Sequence, residues 1–254
     1  MNKNVYKLTI LFVFIKLVTY GQDVTTVQAT SFEVGDNLDL KAVASVFGES
    51  ENLEDFEKKL NDPKRKISNL DLNKDGQVDY LRIVEVSADN SSLVTIQAVL
   101  GKDLFQDVAT IDVERDKKGE LRVQVVGDVD LYGPDYIIDP YYAHSPLIYS
   151  WYWGPYYSPY YSPYYYGYYP VYYSPWVPYP VPVYQRNISV SINVNHRYCR
   201  ANKRQSKTCV KLEKSNHRST SVSVTHKRYS SPTLFYSRRS SHSVVYVRPA
   251  KRRR

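Results

Sequence analysis

The chain has 254 residues, 26 of them tyrosine, and a formal net charge of +8. That length can bury a real core, two cysteines exclude a disulfide framework, and no apolar run reaches the ~20 residues that span a bilayer. The charge is also divided: residues 22–140 carry 25 acidic and 13 basic side chains, whereas 141–254 carry one acid, Glu213, and 18 basic ones. An acidic half joined to a basic half points to a domain with an interaction tail.

Residues 1–21 read as an export signal. Lys3 and Lys7 make a basic start, 8–20 is apolar apart from Lys16, and small Thr19 and Gly21 precede a cleavage point before Gln22. The expected destination is the periplasm, the cell surface or the medium. Residues 22–140 are expected to form one α+β domain. Leu38, Leu40, Val43, Val46 and Phe47 recur at near-helical spacing within 37–50, with Asp39 placed to cap the start and Gly48 the end. A second helix is expected over 51–62, where Leu53, Phe56 and Leu60 share a face, acids crowd the first turn and lysines the last. Pro63 stops it.

The stretch DLNKDGQVDYLR follows at 71–82. Asp71, Asn73, Asp75, Gln77 and Asp79 fall at positions 1, 3, 5, 7 and 9 of a calcium-loop spacing, with Gly76 at the sharp turn. Position 12, where an EF-hand places a bidentate Glu, is Arg82, and no helical pattern flanks the loop. The alternative is an Asx-rich turn without metal, since Asp, Asn and Gly make such turns unaided. Either way the loop ties the helices to the first strand, so bound calcium would be structural.

Beyond it the apolar period becomes two. Val94, Ile96, Ala98 and Leu100, then Ala109, Ile111 and Val113, then Leu121, Val123 and Val125 alternate with polar partners, which predicts antiparallel strands with one wet face. ADNSS (88–92) and DKKGE (116–120) read as hairpin turns. The pairs Asp112/Glu114 and Asp128/Asp130 are expected on a solvated face. The fold expected is two N-terminal helices on a small antiparallel sheet of about four strands.

Composition then breaks. Residues 141–184 hold 17 tyrosines, three tryptophans and nine prolines, and YYSP begins at Tyr156, Tyr160 and Tyr172. Such proline density predicts extended, polyproline-II-like chain. Residues 185–254, rich in Ser, Arg and Lys, are expected to be largely disordered and to bind polyanions through phosphate contact without sequence reading, or to fold back on the acidic domain. Cys199 and Cys209 are expected to pair or remain thiols; zinc wants four ligands.

Two resemblances add to this. The loop resembles the D-x-[DN]-x-D-G-x-x-D turns of integrin-type propeller repeats, which implies calcium ligation at Asp71, Asn73, Asp75, Gln77 and Asp79 with no need of a Glu at position 12. The stretch LDLKAVASVFGESENLEDFEKKLNDPKRKISNLDLNKDGQVDYLRIVE resembles secreted, uncharacterised proteins of Bacteroidota, which implies export and no known activity. Catalytic signatures are missing: there is no G-x-S-x-G, H-E-x-x-H or P-loop, and the acidic domain contains neither His nor Cys. The expected role is a non-enzymatic envelope or matrix protein with an adhesive tail. The alternatives are a periplasmic binding or assembly module at the outer membrane, and a hydrolase with an acidic site.

Overall fold

The computed structural model describes residues 35–116, 118–220 and 235–237. The expected export signal at 1–21, and the tail at 221–234 and 238–254, lie outside the described residues. The fold is α+β, built on one antiparallel sheet.

Helix α1 (Leu40–Gly48) starts where expected: the Asp39 carboxylate accepts from the Lys41 backbone N–H at 2.7 Å. Helix α2 (Leu53–Leu60) is capped by Asn52, whose side chain accepts from the Asp55 N–H at 2.8 Å. Leu53, Phe56 and Leu60 are fully buried, and Phe56 meets Phe47 of α1 edge-on, with ring centroids 5.4 Å apart. Burying side chains of this size stabilises by about 1.5–3 kcal/mol each before entropy is counted.

Strands β1 (Leu81–Ala88), β2 (Ser91–Gly101), β3 (Leu104–Arg115) and β4 (Leu121–Gly127) form a meander in chain order. Two-residue turns join the first three, with Asp89 and Asp103 at φ of 53° and 56°, a region Asp tolerates. Between β3 and β4 the Asp116 carboxylate accepts from the Lys118 and Glu120 N–H groups, and Gly119 takes φ 84°. Ile111, Val113, Val123 and Val125 point to the core beneath α1 and α2. Thr110, Asp112 and Gln124 alternate with them and face the other way.

The sheet is larger than the sequence pattern suggests. After a single turn, α3 (Val129–Tyr132), strand β5 (Ile137–Tyr141) pairs with β4, and β6 (Arg197–Ala201) pairs with β5. A short β7 (Phe235–Ser237) extends the sheet beside the start of β3. Strand β5 crosses residue 140, and β6 comes from the basic half, so both halves build one sheet.

The expectation for 141–184 is corrected. Instead of projecting as extended chain, the segment lies along the domain as a strap. It contains a short helix, α4 (Leu147–Tyr152), and leads into α5 (Val181–Ser189), which has Pro182 in its first turn, where a missing N–H costs nothing. The physical reason is the edge of β1, whose backbone groups need partners. Tyr160 O accepts from Glu85 N at 2.8 Å, and Ser162 N donates to Ile83 O at 2.9 Å. Further along, Trp176 O accepts from Val78 N at 2.8 Å. Pro159 and Pro163 flank the paired residues and offer no N–H for another strand to add. The expectation that these prolines prevent helix is corrected too: α4 occupies the proline-free run 147–152 and α5 carries Pro182 only in its first turn, while the proline-rich chain between them closes an edge.

The first half of the expected disordered tail is likewise structured. After β6, α6 (Lys207–Thr220) packs on β1 and β2. Arg204 reaches Asp112 through two hydrogen bonds of 2.6 Å and also pairs with Glu213. Asp112 is therefore buried and ion-paired rather than solvated. Asp128 is not a solvated bystander either: its side chain accepts from Asp130 N and caps α3. Both cysteines are free thiols; Cys199 is half-buried in β6, and burial pushes the Cys209 thiol up to about 12.

Candidate functional site

The five loop residues singled out by spacing lie between the helices and β1. Their side chains serve first as turn-formers. The Asp71 carboxylate accepts from the backbone N–H groups of Asp75 at 3.1 Å and Gly76 at 3.0 Å. The Asn73 side-chain oxygen accepts from Asp75 N at 3.0 Å, and Asp75 Oδ1 accepts from Gln77 N at 2.9 Å. Positive φ at Lys74 (60°) and Gly76 (82°) produces the tight course. Asp79 is 5% exposed at the base of the loop, where it accepts from Leu72 N at 2.6 Å. Burial, reinforced by the charges of Asp71 and Asp75, pushes its carboxyl up to about 8. Arg82 is no part of the loop: it lies in β1, bonded to Gln97 Oε1 and stacked on the Phe105 ring 3.4 Å from its centroid.

Among the described residues no three Asp, Glu, His or Cys side chains converge as a metal centre. The donor set of the loop remains an oxygen set: three carboxylates, one amide and the Gln77 carbonyl. Each carboxylate oxygen keeps a lone pair beyond the N–H it accepts. That chemistry fits a hard cation such as calcium. A cleft of about 60 Å³ opens beside the loop, bounded by Asn73, Asp75 and Gln77 on one side and Tyr166, Tyr169 and Tyr173 of the strap on the other. It has room for a hydrated ion or a few waters.

The structure also gathers a constellation the sequence reading missed. Glu57, fully buried, accepts from Tyr80 Oη at 2.7 Å, Ser162 Oγ at 2.6 Å and Ile83 N at 3.1 Å. Burial raises its carboxyl to about 7, against the pull of those donors. Glu85 accepts from Tyr157 Oη at 2.7 Å, Tyr160 N at 2.9 Å and Ser92 Oγ. Burial raises this carboxyl too. Two acids of the domain thus clamp two copies of YYSP. A signal was present for each. Glu57 falls on the Leu53–Phe56–Leu60 stripe of α2, and Glu85 continues the inward alternation Leu81–Ile83 of β1. An acid on an apolar stripe asks for a partner.

The basic half offers a third arrangement. Lys207, Lys211 and Lys214 are exposed on one face of α6 at i, i+4 and i+7, while Cys209 on the same helix is fully buried. No protein-family model, curated protein or solved structure matches this chain. Among the described residues no helix is long and apolar enough to cross a membrane.

Proposed function

We propose that this is an exported, non-enzymatic protein of the cell envelope or matrix, which binds polyanions through its basic end. The observation that carries the reading is the exposed lysine face of α6, which runs directly into residues 221–254, where nine Lys and Arg and no acids follow. Lysines on a solvated helix face contact phosphate or sulfate as point charges and read no sequence. The non-enzymatic part of this reading is supported by the setting of Glu57. Glu57 has a carboxyl near neutrality, the property of a general acid, yet it is sealed from solvent and its oxygens face structural donors. No substrate reaches it, so its role here is to hold the strap. Export rests on the pattern of residues 1–21 and on the resemblance to secreted Bacteroidota proteins.

Binding of polyphosphate and of mixed-sequence single-stranded DNA by the full chain tests this. Affinity is expected to fall steeply with salt, by about 0.7 log units per log unit of salt for each contact on a single strand. Replacing Lys207, Lys211 and Lys214 together by alanine is expected to flatten that slope. Salt-independent binding, or an unchanged slope in the triple variant, refutes the reading.

We further propose that the loop 71–79 takes structural calcium through Asp71, Asn73, Asp75, Gln77 and Asp79. The all-oxygen donor set and the mutual repulsion of three nearby carboxylates support it. A ligand of the folded state raises its stability in proportion to the logarithm of ligand over Kd, so calcium at about tenfold above Kd should add about 1.4 kcal/mol. Asp75→Ala should lose that gain. If wild type and variant melt alike with and without calcium, the loop is an Asx turn only.

A further inference from the structure

Most tyrosines of the strap are turned inward, but one group is not. Tyr165, Tyr166 and Tyr168 stand 43%, 47% and 53% exposed around a tight turn. Tyr165 N donates to Tyr168 O at 3.1 Å, Tyr168 N donates to Tyr165 O at 2.9 Å, and Gly167 supplies the positive φ of 79° that closes the turn. The rings of Tyr165 and Tyr168 stack with centroids 5.2 Å apart and planes 28° from parallel. Both arms of this hairpin are anchored. Before it, Ser162 is bonded to Glu57 and Tyr164 packs edge-on against Tyr80 at 5.8 Å; after it, Tyr169 packs on Tyr80 at 5.4 Å.

We propose that Tyr165 and Tyr168 form an oxidative cross-linking site, at which a peroxide-driven one-electron oxidant joins the two rings as dityrosine within one chain. The balance is complete. Each phenol loses the hydrogen atom of its O–H to the oxidant, leaving a phenoxyl radical whose spin density lies partly on the ortho carbons. The two radicals combine in a carbon–carbon bond between ortho positions, and each ring then returns its ortho C–H proton to its own oxygen. Two hydrogen atoms leave the chain, and one hydrogen peroxide accepts them to become two waters. No bond to the backbone breaks. The fixed turn makes the coupling intramolecular and holds the partner ring in place before the first radical forms, which is the advantage of proximity.

Selectivity follows from the fold. Tyr80 and Tyr173 are as close, with centroids 4.9 Å apart, but Tyr80 is buried and each hydroxyl donates inward, to Glu57 and to the Val78 carbonyl respectively. Tyr156 is 92% exposed and is the natural site for links between chains. Tyr164 lies 6.0 Å from Tyr168 but is held half-buried against Tyr80. The proposal depends on the hairpin alone and not on export or polyanion binding.

The test is oxidation of the dilute full-length protein by a haem peroxidase with hydrogen peroxide, followed by dityrosine fluorescence and peptide mapping. The expected first product is a monomer lighter by two hydrogens, with Tyr165 joined to Tyr168. Tyr165→Phe and Tyr168→Phe keep the rings and the turn but each should lower the early intrachain yield at least about tenfold, whereas Tyr166→Phe should leave it intact. A first link at Tyr164–Tyr168 or elsewhere, products joined only between chains, or full yield in the two phenylalanine variants would overturn the assignment.

Discussion

Two stretches of biased composition cover the same sheet by opposite chemistry. The strap is rich in rings and holds to the domain through hydroxyl and backbone donors aimed at two buried carboxylates, Glu57 and Glu85. The cover made by α6 and the segment leading into it is rich in cations and holds through Arg204, just ahead of α6, which joins Asp112 on β3 to Glu213 on α6. In the first case the acid sits in a pocket of neutral donors, and burial raises its carboxyl. In the second, burial raises the Asp112 carboxyl as well, but the group that pulls against it is the full charge of the Arg204 guanidinium. The difference teaches that low-complexity chain can complete a fold when each residue type meets a fixed partner. Tyrosine does so with a large apolar body and one polar tip; arginine does so with a rigid fork.

The largest effect is expected from removing the cationic partner. Arg204→Ala leaves Asp112, whose side chain is 2% exposed, without its counter-charge. Breaking such a buried pair from one side costs about 3–5 kcal/mol. The cost should shrink at acidic pH, where a proton neutralises Asp112 in place of the guanidinium. Denaturant melts of wild type and variant at acidic and alkaline pH measure it. A loss below about 1 kcal/mol at neutral pH would class the pair with surface ion pairs and remove the contrast between the two covers.

Much of the central fold was legible in the sequence. Both helices, the Asp39 cap, the strand period and two hairpin turns rest on interactions within a few residues, which local pattern records; the Asn52 cap of α2 went unread. The loop 71–79 was legible as a turn, and its spacing gave the ligand candidates, but spacing does not say that Asp71 and Asp75 already accept backbone N–H groups. The strap was not legible. Ser162 meets Glu57 across 105 positions and Tyr184 meets Ile67 across 117, and no local period encodes such a register. Proline content was read as barring helix from the whole segment, yet α4 forms in the proline-free run 147–152 and α5 takes Pro182 in its first turn, and proline content carries no information about which edge the extended chain will close. The buried Asp112 was misread because alternation marks the second face of a sheet as polar. It does not reveal that a distant arginine will cover that face.

The smaller effect sharpens the other side of the comparison, through Glu57. Its carboxyl is raised from 4.5 to about 7 in the fold, chiefly by burial. A carboxyl raised on folding binds its proton more tightly in the native state. The stability it contributes is therefore fully present below pH 4.5 and is lost as pH rises toward about 7. At 1.36 kcal/mol per unit the swing is about 3 kcal/mol, and it is flat above neutrality. Glu57→Gln removes the titration while keeping the contacts: the amide oxygen can accept from Ile83 N, and the amide nitrogen can donate to the hydroxyls of Tyr80 and Ser162, which are free to rotate. The variant should thus be close to wild type at acidic pH and more stable than wild type in mildly alkaline solution. Taking the difference between the two proteins at each pH cancels the titration of Glu85, Asp79 and Asp112, which both share. A difference that stays constant from acid to alkali would mean that the Glu57 carboxyl titrates alike in folded and unfolded chain. Burial would then not govern the Glu57 side of this clamp, and the strap would be held by Glu85, its backbone bonds to β1 and ring packing.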